Sequence, residues 1–140
     1  MKKKWLFALI ALLLIVGILL ISKLGNTPSD PSAKQIHIQV VDETAEPDKT
    51  ILSQSYSTNS KTLKEFLETE KELEAKLESG SYGTILQSIK GLDQDMDKGP
   101  WLIYESNKNP SCKEQGACPV MDEILLKDQD EFIFKRIQSF

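Results

Sequence analysis

The segment from Gly99 to Phe140 constrains the fold most. It opens with Gly99-Pro100, which cannot continue a helix, and runs into the aromatic stretch Trp101-Leu102-Ile103-Tyr104. A loop holding Cys112 and Cys118 follows. The segment closes on Glu131-Phe132-Ile133-Phe134, where apolar residues alternate with others. A turn-bounded strand, a two-cysteine loop and a final alternating strand make up half of a small sheet domain.

The N-terminus sets a second constraint. Lys2-Lys3-Lys4 precede an unbroken apolar run from Trp5 to Ile21, and no charge returns before Lys23. As a helix, the run spans about 25 Å against a hydrocarbon core of about 30 Å. Lys4 and Lys23 can snorkel outward, so residues 5–22 are expected to cross a membrane once, within a signal-anchor segment of residues 1–24. The basic cluster then stays in the cytoplasm and the rest faces outward. The alternative is a secreted chain after signal cleavage, although Ile21 to Asn26 offers no small-x-small triplet. Without the four lysines of this segment, 13 of the 17 basic residues face all 21 acidic ones, a net charge of −8. Such a surface repels phosphate backbones, so nucleic acid is not an expected partner.

Residues 25–34, with two prolines and small polar side chains, read as a flexible linker. The folded domain is therefore expected over 35–140. Ile36, Ile38 and Val40 alternate with His37 and Gln39, which predicts a strand with one buried face. Glu46-Pro47-Asp48-Lys49 reads as a turn and Thr50 to Ser57 as the returning strand. Thr62-Leu63-Lys64-Glu65 fits a capping box, and Leu63, Phe66 and Leu67 form the apolar stripe of a helix. Continued at 100° per residue, the stripe would bury Glu70. This predicts an end near Glu70 to Glu72, with Leu73 to Ser79 irregular or an edge strand. A single helix through Leu77 is the alternative. Thr84 to Ile89, Trp101 to Ser106 and Glu131 to Ile137 are the remaining strands. The order gives an α+β fold, a β-grasp-like mixed sheet packed on one helix, preceded by an N-terminal transmembrane helix.

Three short motifs, Tyr82-Gly83-x-Ile85-x-x-Ser88-Ile89-x-Gly91-Leu92, Gly99-Pro100-Trp101-x-x-Tyr104-x-x-Asn107 and Leu126-x-Asp128-x-Asp130-x-Phe132, carry a family resemblance. Over 35–140 the chain resembles the transcobalamin-like C-terminal domain family. The family pattern has Asn-Gly after the aromatic strand and Asp-Gly-Asp before the last; here Lys108 and Gln129 stand at the glycine positions. Two turns of altered shape are therefore expected. The resemblance implies cobalamin or a related corrinoid as ligand, and no other cofactor, with an uptake transporter as partner. Vitamin carriers hold cobalamin between this domain and a helical barrel that this chain lacks, so half of that site is missing.

Two cysteines on the outer side of a membrane read as one structural disulfide, Cys112–Cys118. Zinc needs four ligands, and His37 is the only histidine. Asp122, Glu123, Asp128, Asp130 and Glu131 are dense enough to raise calcium, but the EF-hand glycine and closing glutamate are out of place. They read as solvated turn carboxylates, and no metal is expected. No motif marks a nucleophile beside His37, so a catalytic site is not expected. Trp101 and Tyr104 lie on opposite faces of a regular strand, one packed inward and the other exposed, with the core the first expectation for Trp101. Tyr82, Trp101 and Tyr104 are the ligand-binding candidates, with the 107–119 loop as rim. The expected role is an extracytoplasmic, membrane-tethered ligand-capture or adaptor module. The alternative is a cell-surface protein-interaction or structural module.

Overall fold

The computed structural model describes residues 30–140. The apolar run at 5–22 and residues 25–29 of the linker lie outside the described residues. Among the described residues, no helix is long and apolar enough to cross a membrane. Ser32–Phe140 forms one compact unit.

The fold is α+β. Strands β1 (Lys34–Asp42) and β2 (Lys49–Thr58) form an antiparallel hairpin. Helix α1 (Leu63–Thr69) follows, then a 3-10 turn at Lys71–Leu73. Strands β3 (Lys76–Gly80), β4 (Gly83–Ile89) and β5 (Leu92–Asp93) come next. Strand β6 (Trp101–Glu105), the short helix α2 (Pro110–Glu114) and β7 (Glu131–Ile137) complete the chain. The first and last strands pair in parallel at the centre of a four-stranded sheet of order β2-β1-β7-β6.

The alternation in β1 and β7 does what it predicts. Ile36, Ile38 and Val40 share the buried face with Phe132 and Phe134. Leu63, Phe66 and Leu67 of α1 join the same cluster, with Tyr56 edge-on to Phe66 at 5.7 Å. Thr62 Oγ1 accepts the Glu65 N–H, as a capping residue should. Glu65 reaches back one residue further than in a capping box, accepting from the Lys61 N–H at 2.8 Å. The helix ends at Thr69, the shorter of the two expected lengths. Glu70 is kept out of the core, and its carboxylate accepts the Glu72 N–H at the head of the 3-10 turn. That turn returns Leu73 to the core, where it is fully buried.

The structure corrects the expectation of a single sheet. Strands β3, β4 and β5 form a separate antiparallel sheet. Gln94 links it to the edge of the larger one, donating to the Leu86 carbonyl at 2.6 Å and accepting from the Leu102 N–H at 3.0 Å. A two-residue turn, Lys90-Gly91, joins β4 to β5 with both residues at positive φ, as primed hairpin turns require.

Candidate functional site

The Cys112–Cys118 disulfide forms, and the loop it closes is pinned from three sides. Asn109 caps α2 by accepting the Ser111 N–H, with Pro110 following at the first turn. Tyr104 donates its hydroxyl to the Pro119 carbonyl at 3.0 Å. Asp122 accepts both the Thr84 N–H at 2.8 Å and the Thr84 hydroxyl at 2.9 Å. The N–H bond leads in holding the Asp122 carboxyl below its usual range, against an opposing push from burial. Gly83 lies against the same loop at φ 124°, where a Cβ would stand 3.0 Å from that of Val120. Tyr82 precedes it in the β3–β4 turn with its ring 95% exposed.

The three aromatic candidates are therefore not one cluster. Tyr104 meets the bridged loop and spends its hydroxyl on holding it, whereas Tyr82 stands exposed beside Gly83, the residue that lies against Val120. Tyr104 packs toward the core beside Phe134, at a centroid distance of 6.0 Å, and burial raises its phenol pKa. Trp101 leaves β6 from the opposite face. It is half-buried, not in the core, and rests against Phe140 at 5.4 Å. Strand parity puts the two aromatics on opposite faces; the pairing of Tyr104 with Phe134 decides which is inward.

A second feature lies where β1 begins beside β7. An open cleft of about 150 Å³ is lined by Gln35, His37, Ser55, Lys108, Gln129 and Glu131. Its backbone frame is built by Gln129 donating to the Gln35 carbonyl at 2.7 Å and by His37 donating to that of Asp130 at 2.8 Å. His37 contacts the Ser55 hydroxyl through Nδ1 at 3.1 Å and that of Ser53 through Nε2 at 3.0 Å. Both ring nitrogens go to hydroxyls, so no carboxylate orients the ring as in a catalytic triad. Lys108 and Glu131 pair at 2.7 Å, and this bond leads in holding the Glu131 carboxyl below its usual range.

Three of the turn carboxylates read as solvated, Asp122, Asp128 and Asp130, prove to be structural. Asp130 is 2% exposed; its Oδ2 accepts from the Asn109 amide at 2.6 Å and the Lys127 N–H at 2.8 Å. Asn109, wholly buried, also donates to the Leu125 carbonyl. Asp128 accepts the Gln35 N–H at 2.7 Å. Among the described residues, no group of three or more His, Cys, Asp or Glu is placed to hold a metal ion. Asn109 could have been read as a cap from Asn-Pro in the sequence. The cleft could not, because Gln35, Lys108 and Gln129 come from three distant segments.

No family model matches the chain, and no curated protein matches it. A solved structure of a "putative metal binding protein" from Ruminococcus gnavus ATCC 29149 is similar. The likeness has a TM-score of 0.57 at 20% identity and covers 76% of this chain and 99% of that one. At that identity the likeness concerns the fold alone.

Proposed function

We propose that this chain is a non-enzymatic, extracytoplasmic binding module. It is a β-grasp domain held at a membrane by its apolar N-terminal run and captures a corrinoid, or passes one to an uptake partner. The strand order supports the β-grasp reading, with the first and last strands parallel at the sheet centre and a helix on one face. A disulfide suits an oxidising compartment. One observation carries the binding reading. Tyr82 is 95% exposed on a turn fixed against a disulfide-closed loop, so a large aromatic is presented on a rigid mount. The cleft beside His37, at about 150 Å³, is too small to enclose a corrinoid. The ligand would instead lie on the rim formed by Tyr82 and residues 107–119, with Tyr104 as support and Trp101 outside the contact.

Isothermal titration of the full chain and of residues 26–140 with cobalamin and cobinamide tests this. Binding that Tyr82→Ala weakens is the expected result; no heat at millimolar ligand overturns it. A second reading, a protein-interaction module, is favoured by β2. This sheet-edge strand of ten residues carries a single charge, Lys49, and so lacks the charges that usually block strand addition. It predicts a protein partner in a pull-down and no response to either corrinoid.

A further inference from the structure

We propose that the cleft between the start of β1 and the 128–131 segment binds one neutral pyranose ring, a single sugar unit of a glycan. The site is separate from the Tyr82 rim and does not depend on the corrinoid reading. Size is the first ground. A cavity of about 150 Å³ is half the lower bound for drug-sized ligands, yet in an apolar core one of that volume takes up benzene, a six-membered ring. This cleft opens to solvent, so ring substituents and neighbouring sugars can extend outward.

Charge is the second ground. The charged groups lining the cleft already have partners: Lys108 is paired with Glu131, and Asp130 is satisfied by Asn109 and Lys127. An anionic ligand would have to compete with Glu131 for Lys108 and a cationic one with Lys108 for Glu131, a modest handicap because the pair is about half-exposed. A neutral ligand need not.

Hydrogen-bonding capacity is the third ground. Gln35, Gln129 and Ser55 each carry donor and acceptor groups; both His37 ring nitrogens are engaged by Ser55 and Ser53, so the ring serves as a wall that positions the Ser55 hydroxyl, and Glu131 adds a carboxylate oxygen beyond the one that meets Lys108. Among the described residues, no hydrogen bond engages the side-chain amide of Gln35. Sugar hydroxyls both donate and accept, so a lining of this kind matches them. The apolar and anionic classes have no such match here.

The test is a titration of the isotope-labelled full chain, held in a detergent without sugar headgroups, with glucose, N-acetylglucosamine and glucuronate at millimolar concentrations. Saturable shifts from either neutral sugar at the Gln35 and Gln129 side-chain amides and the His37 ring are expected, with glucuronate weaker. His37→Ala and Gln129→Gly should each weaken binding about tenfold. Gln129→Gly keeps the fold, because residue 129 sits at φ 68°, where glycine is at ease. The proposal is overturned if neither neutral sugar shifts these resonances, if both variants bind like the parent, or if glucuronate binds as tightly as the neutral sugars.

Discussion

Replacing Asp42 with asparagine should cost stability at neutral pH and progressively less in acid. Asp42 ends β1 on its buried face, 8% exposed, directly opposite Arg136 in the parallel ladder with β7. Its Oδ2 accepts from Arg136 Nη2 at 2.6 Å and its Oδ1 from Arg136 Nε at 3.2 Å, a two-pronged pair. Oδ1 also accepts from the Thr44 hydroxyl at 2.6 Å and the Thr44 N–H at 3.1 Å. The Arg136 bond leads in lowering the Asp42 pKa from 3.8 to about 2, with burial opposing and Thr44 assisting. At about 1.4 kcal/mol per pKa unit the shift corresponds to roughly 2–2.5 kcal/mol. Arg136 is 23% exposed, so solvent screening reduces this to about 1–2 kcal/mol. The folded-state pKa lies below the unfolded one. The contribution is therefore complete above the unfolded value of 3.8 and is lost as pH falls through about 2. Urea unfolding of the parent and Asp42→Asn at several pH values between about 2 and 7 measures it. The gap should be largest at neutral pH and close in acid. A gap independent of pH, or none at neutral pH, refutes the reasoning.

Gln129→Gly should raise stability by about 0.5–1 kcal/mol in thermal or urea unfolding, since relief of the left-handed backbone at φ 68° exceeds the added freedom of the unfolded glycine. The double variant Cys112→Ser/Cys118→Ser should lose about 2–3 kcal/mol, the loop-closure benefit of so short a ring, with amide exchange rising at residues 110–120 and not in β1.

Local features were legible in the sequence, and long-range ones were not. The β1–β2 hairpin, the capping threonine of α1 and the last strand follow from periodicity and capping within a few residues. The end of α1 followed from the cost of burying Glu70. The second sheet did not follow, because its β5 strand is two residues long and a glutamine side chain, Gln94, bridges it to β6. The burial of Asp130 rests on Asn109, twenty-one residues away, which no local pattern displays. The inward face of β6 depends on which residue of β7 lies opposite. Sequence therefore supplied the opposite placement of Trp101 and Tyr104 but assigned Trp101 to the wrong side. The candidate site divides in the same way. The bridged loop and Tyr82 stood out in the sequence, whereas the cleft assembles only in the fold.

The turn at 128–130 joins these two levels. Its sequence departs from Asp-Gly-Asp at the middle position, and an altered shape was the expectation. Gln129 sits at φ 68°, in the left-handed region that glycine favours. Four bonds hold it there: Asp128 takes the Gln35 N–H, Gln129 donates to the Gln35 carbonyl, and Asp130 accepts from Asn109 and from Lys127. Neighbours that over-determine a conformation can sustain a residue that disfavours it. Glycine would relieve the strain and leave those bonds intact, so stability alone does not account for glutamine. What glutamine adds is an amide on the wall of the cleft beside His37. Strain kept where a polar side chain lines a cavity points to binding, so the variant that stabilises the turn should be the one that loses the sugar.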